Sequence, residues 1–76
     1  MKEILESIII NMVENKEQVT ISSKEDERTI TLEVKVAESD MGRVIGKQGR
    51  VAKAIRTVMK SLAAKEHKKV IVEFAE

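Results

Sequence analysis

The stretch Val44-Ile45-Gly46-Lys47-Gln48-Gly49-Arg50-Val51-Ala52-Lys53-Ala54-Ile55 holds two of the three glycines of a 76-residue chain. Apolar residues frame it on both sides, and only Lys47 and Gln48 separate the glycines. Glycine reaches backbone conformations closed to other residues and leaves the main chain uncovered, so this spacing reads as a sharp, bare corner between two helices. The helix after such a corner starts with amides that lack an internal partner, and its dipole favours an anion there. Lys47 and Arg50 add positive charge beside those amides, and Gln48 adds a neutral donor. Groups of this kind suit a sugar-phosphate backbone.

Outward from the corner, the apolar spacing predicts the remaining elements. After it, Val51, Ala54, Ile55, Val58, Met59 and Leu62 gather on one side of a helix from Arg50 to about Lys65, with Arg50, Lys53, Arg56, Thr57 and Lys60 opposite. Before it, Ser39 is placed to cap a short helix from Asp40 to Ile45 that buries Met41, Val44 and Ile45. Ile4, Leu5, Ile8, Ile9, Met12 and Val13 recur at three- and four-residue spacing, which predicts a first helix over residues 2–15. Val19 and Ile21 alternate with polar residues, as do Ile30, Leu32, Val34 and Val36; these are two strands, with Lys24-Glu25-Asp26-Glu27 as the hairpin turn. Val70, Val72 and Phe74 mark a last strand over residues 69–74.

The resulting order, helix-strand-strand-helix-helix-strand, is an α+β arrangement. A three-stranded sheet with its helices packed on one face lets every apolar side meet in one core. A chain this short supplies a single domain, residues 1–76, because about 60% of its unfolded surface is all it can bury.

Composition excludes several function classes. There is no cysteine, so disulfides and thiolate metal ligands are ruled out. His67 stands alone in a run of charged residues, with no second ligand at metal spacing, and reads as a solvated loop residue; neither a metal nor a catalytic constellation is expected. No cofactor is implied. No apolar run approaches the roughly 20 residues of a membrane span, and Glu3 and Glu6 stand where a signal peptide is basic, so a cytoplasmic protein without membrane contact is expected.

The net charge of +1 conceals a strong polarity. Residues 40–69 hold nine Lys or Arg against two acids, a local charge of +7, whereas the rest holds five against eleven, or −6. One side can therefore attract a polyanion despite the near-neutral total. Other phosphate loops do not fit. A Walker A loop needs four residues between its glycines and Ser or Thr after Lys, but Gly42 and Gly46 are separated by three, and Gln48 follows Lys47. A dinucleotide fingerprint needs glycine at the position of Val44 and a preceding strand.

The residues from Val44 to Ile55 resemble the signature of KH domains, in which a GxxG loop joins two helices and clamps about four nucleotides of a single strand. The element order is similar to the type II, bacterial arrangement, and the likeness extends over the whole chain. It looks most like the small stand-alone bacterial KH proteins of the KhpA family.

The resemblance implies a non-catalytic module for single-stranded RNA, an RNA chaperone or post-transcriptional regulator connected with cell shape and cell-wall biogenesis. It also implies pairing with a larger KH-domain protein (KhpB-like) or with itself as a homodimer, and a protein-pairing module that holds RNA weakly is the alternative function. Carried over by position, Gly46, Lys47, Gln48 and Gly49 form the backbone clamp. Val44, Ile45 and Val51 flank an apolar groove whose other wall is the strand near Val70 to Val72. Arg50 and Lys53 lie within reach of phosphates, and Gly42 and Arg43 complete the candidate RNA-binding set. Gly42, inside the short helix, also suits close packing. Lys60 lies about 16 Å along the helix axis from Gly49 and is read, with Arg56, as a solvated face that attracts RNA at a distance. With Phe74 the sole aromatic residue, stacking on Tyr or Trp has no place.

Overall fold

The computed structural model describes residues 1–75. Helix α1 (Lys2–Ile10) leads through a 3-10 turn (Lys16–Gln18) into β1 (Thr20–Glu25) and β2 (Thr29–Lys35). A second 3-10 turn (Glu38–Asp40) precedes α2 (Met41–Ile45). A third (Lys47–Gly49) joins α2 to the long α3 (Arg50–Lys65), and β3 (Lys69–Ala75) closes the order expected from the sequence.

The sheet is mixed, with β2 in the centre, antiparallel to β1 and parallel to β3. Register brings the apolar positions into rows: Ile21 lies beside Val34, Ile30 beside Val70 and Leu32 beside Val72. Because side chains alternate between faces, these residues all point to one side of the sheet. They share a core there with Leu5 and Ile9 of α1, Val44 of α2, and Ile55, Met59 and Ala63 of α3. Leu32, fully buried on the central strand, is a site where truncation to Ala costs about 2–5 kcal/mol.

Three boundaries depart from the expected ones. Helix α1 stops at Ile10, not near residue 15, because the chain tightens at Asn11 and Met12. The Asn11 side chain donates to the Ser7 carbonyl at 2.7 Å, and the Met12 amide donates to the Ile9 carbonyl at 3.0 Å. Val13 is buried all the same, whereas Ile4 of the expected stripe is 46% exposed. The hairpin turn is shorter than the acidic cluster. Lys24 and Glu25 belong to β1, and the Asp26 carboxylate accepts the Arg28 and Thr29 amides at 2.8 and 2.7 Å. Those two hydrogen bonds hold the Asp26 carboxyl below its ordinary pKa.

The third departure concerns Ser39 and Asp40. Ser39 does not cap α2. It lies in the 3-10 turn, and its hydroxyl accepts from the Asn15 side chain at 3.2 Å. Asp40 is buried, 1% exposed, and its carboxylate reaches back to the segment after α1. There it accepts the Glu14 amide at 3.2 Å and the Asn15 amide and side chain, each at 3.0 Å. Burial acts to raise the Asp40 pKa. The Asn15 and Glu14 amides, the Asn15 side chain and the Arg43 charge outweigh it and hold the carboxyl below its ordinary value.

Helix α3 ends in a Schellman motif, with the Lys68 amide on the Ala63 carbonyl and the His67 amide on the Ala64 carbonyl, both at 3.0 Å. His67 takes the left-handed position at φ 58°, and Lys68 forms an ion pair with Glu25 beside it.

The Asp40 tie has a measurable consequence. Asp40→Asn replaces one acceptor oxygen by a donor facing amides, so the thermal midpoint should fall by on the order of 5 °C or more at neutral pH. The folded pKa is depressed, so the stability this group contributes is present above the unfolded value of about 4 and is lost as pH falls through the folded one. Thermal melts from pH 6 to pH 2 should therefore show a shallower acid limb for the Asn variant than for the wild type.

Candidate nucleic-acid interface

The corner at residues 46–49 is built from three unusual backbone conformations. Gly46 ends α2 at φ 76°, ψ 174°; Gln48 and Gly49 follow at φ 57° and 72°. Gly46 is required for a further reason. A Cβ there would lie within 2.9 Å of the Val51 amide nitrogen and closer still to the Val51 side chain, so α3 could not start where it does. Gly49 needs its torsion but has open space around it. Gln48 holds a left-handed conformation without being glycine, at a cost of about 1 kcal/mol.

The corner spends part of its hydrogen bonding internally. The Gly46 amide donates to the Gly42 carbonyl at 2.9 Å, the Gly49 amide to the Gly46 carbonyl at 3.2 Å, and the Arg50 amide to the Lys47 carbonyl. The first amide of α3 is therefore not free, contrary to expectation. The Lys47 and Gln48 amides have no backbone acceptor among the described residues, and both side chains are exposed. Unpartnered donors thus sit at the tip of the loop, one turn earlier than the helix start.

A groove does run along the strand wall expected at Val70 to Val72, but its other wall is not Val44, Ile45 and Val51. Val44 is fully buried and cannot meet a ligand, while Ile45 and Val51 are half-buried against the core. Helix α3 is rotated so that Ala52, Ile55, Met59 and Ala63 face the sheet, leaving Ala54 exposed and Val58 47% exposed. Small residues at 52 and 63 let the helix sit close. That rotation turns Lys53, Arg56, Thr57 and Lys60 toward β3, where with Val70, Ile71 and Val72 they line a groove of about 360 Å3.

Arg56 and Lys60, read from the sequence as a solvated face, are walls of this groove. The Arg56 Nε donates to the Val72 carbonyl at 3.1 Å, and the guanidinium lies over the Phe74 ring, 5.3 Å from its centroid. Their signal in the sequence was the shared helical face of Lys53, Arg56 and Lys60, which periodicity alone cannot aim at a strand.

Charge is distributed to match. Arg43 is paired with Glu14 and lies 3.7 Å from Asp40, and Lys68 is paired with Glu25. Among the described residues, Lys47, Arg50, Lys53, Arg56 and Lys60 enter no ion pair and follow the loop and the groove. Gly42 is not closely packed. No atom lies within 4 Å of a Cβ built there, so the surface of α2 is bare beside the corner.

A GxxG corner between two helices, with a mixed three-stranded sheet behind them and an extra helix and strand in front, defines a type II KH domain. The model of the family described as KhpA/KhpB, KH domain, matches residues 2–74, and the chain belongs to that family. Similar proteins include the RNA-binding protein KhpA of Clostridium acetobutylicum, 55% identical over 73 residues, which spans 96% of this chain and 97% of the relative. The RNA-binding protein KhpA of Listeria monocytogenes is 43% identical over the full length of both chains, and that of Aquifex aeolicus is 38% identical over 100% of this chain and 96% of its own. No solved structure matches the chain.

The two glycines should respond differently to alanine. Gly49→Ala has room and meets only the torsional cost, about 1–2 kcal/mol. Gly46→Ala adds the collision with Val51 and should cost more, because α3 must shift. Urea denaturation followed by circular dichroism ranks the two.

Proposed function

We propose that this protein is a non-catalytic module that grips the sugar-phosphate backbone of single-stranded RNA with the loop Gly46-Lys47-Gln48-Gly49. The observation that carries the reading is the pair of amides at the exposed residues Lys47 and Gln48, which have no backbone acceptor among the described residues, in a loop that leads into the helix whose Lys53, Arg56 and Lys60 line the groove. Backbone amides on a glycine corner approach a phosphate without intervening side chains, and Arg50 and Lys53 continue the positive surface along α3, with Lys53 reaching the groove. Relatives carrying the name RNA-binding protein KhpA support the RNA-binding part of this reading. Interactions directed at the backbone carry little sequence information, which suits an RNA chaperone or broad post-transcriptional regulator of the cytoplasm, including one that serves cell shape and cell-wall growth. No helix among the described residues is long and apolar enough to cross a membrane.

Replacing Lys47 and Gln48 together by Asp keeps a residue type tolerated in the left-handed conformation while placing two charges against the ligand. Binding of a single-stranded RNA should fall to background, and weaker variants should show a salt slope shallower by roughly 0.7 for each phosphate they no longer neutralise. A gel-shift titration with undiminished affinity would reject the clamp.

A second reading is favoured by a separate observation. Val58 on α3 and Ile4 on α1 are large aliphatic residues left 47% and 46% exposed. The surface around Val58 suits pairing with a second copy or with a larger KH-domain partner, and pairing raises avidity for RNA without new interactions with it. Light scattering after size exclusion should give a mass near twice that of the chain, and Val58→Asp should return it to the monomer. A wild-type monomer at all concentrations, alone and with RNA, excludes the self-paired form.

A further inference from the structure

Arg56 is held at two points in the groove between α3 and β3. Its Nε donates to the Val72 carbonyl at 3.1 Å, and the guanidinium carbon lies 5.3 Å from the centroid of the Phe74 ring. Phe74 is the only aromatic residue of the chain and is half-buried, so no second ring can stack on a base. A guanidinium can take that role. It is planar, weakly hydrated for a cation, and accepts a nucleobase on its face as an aromatic side chain does.

The two anchors restrict the plane that a lone surface arginine would leave free. The Nε bond fixes one edge of the guanidinium, both Nη groups have no hydrogen-bond partner among the described residues, and Phe74 lies under one face. Arg56 is nevertheless exposed and lines the groove. Lys53 and Lys60 stand on the same side of α3, about 4.5 and 6 Å from Arg56 along the axis, so positive charge brackets it where a sugar-phosphate chain would pass.

We propose that the Arg56 guanidinium, backed by Phe74 and tied to the Val72 carbonyl, is the nucleobase platform of this groove. One unstacked base lies on its open face while the Lys47-Gln48 loop holds the backbone. The proposal rests on the RNA-binding reading above and deepens it by assigning base contact and backbone contact to separate parts of the molecule. It also accounts for a base-binding surface in a chain almost without aromatic residues.

The test separates the two parts with two ligands, an oligoadenylate of about eight nucleotides and an abasic strand of equal length, titrated by fluorescence anisotropy at fixed salt. Arg56→Lys keeps the charge and removes the plane. It should weaken oligoadenylate binding roughly 5- to 50-fold, change abasic binding less than about twofold, and leave the salt slope unaltered. Phe74→Leu keeps the apolar bulk and should reproduce part of the same selective loss. Should Arg56→Lys prove unstable at the assay temperature, the Phe74→Leu arm decides.

Equal losses on both ligands would make Arg56 a phosphate ligand, and unchanged binding to both would make it only a brace for β3; either result overturns the platform. Wild-type protein that binds the two ligands equally overturns it too. Failure of the underlying RNA reading looks different, because abasic binding would then survive Asp at both Lys47 and Gln48.

Discussion

The approach of the Gly46 backbone to Val51 governs the arrangement of this molecule. With the Val51 side chain and amide nitrogen within 2.9 Å of where a Cβ of residue 46 would stand, α2 and α3 turn around a residue that can carry no side chain of its own. Two consequences come from this one approach. Helix α3 is launched at the angle that lays Ile55, Met59 and Ala63 on the sheet, and the tip residues Lys47 and Gln48 are pushed outward with their amides unclaimed. A larger residue at 46 would disturb packing and ligand access together, so fold and site share a single constraint.

Two polar ties across the fold set what lies around that corner. Asp40 fastens the segment after α1 to the turn that begins α2, using a buried carboxylate to satisfy amides that the early end of α1 leaves without a helical partner. Arg56 fastens α3 to the edge strand β3 through the Val72 carbonyl. Both exchange a costly buried or edge group for a charge-assisted hydrogen bond, the stronger kind. The acidic part of the chain is also used selectively. Glu14 and Glu25 neutralise Arg43 and Lys68 at the margins, while the cations along the loop and groove enter no ion pair among the described residues. The field near the corner is therefore more concentrated than the net charge of +1 suggests.

Alternation in Ile30, Leu32 and Val34 was sufficient to recognise β2, since a slip of one residue would turn its whole apolar side outward. The GxxG corner was legible because glycine is used there for reasons no other residue can meet. Helix α3 was legible in extent but not in rotation. Val58 and Ala54 are as apolar as Ala52 and Ala63, and only the approach of β3 decides which pair is covered. The strand wall of the groove was expected at Val70 to Val72, but its α3 wall went unseen for the same reason, because Arg56 and Val72 are sixteen residues apart and meet only across the fold.

What the amino-acid sequence determined by itself was local: the order and type of the elements, the bare corner, and the concentration of positive charge after Asp40. These depend on torsional freedom, side-chain period and charge, which act over a few neighbouring residues. Tertiary structure alone decided the burial of Val44 and Asp40, the exposure of Ile4 and Val58, and the alignment of Lys53, Arg56 and Lys60 with the edge strand. Each of those is settled by which surfaces approach closely enough to exclude water, and that depends on the simultaneous packing of segments distant along the chain.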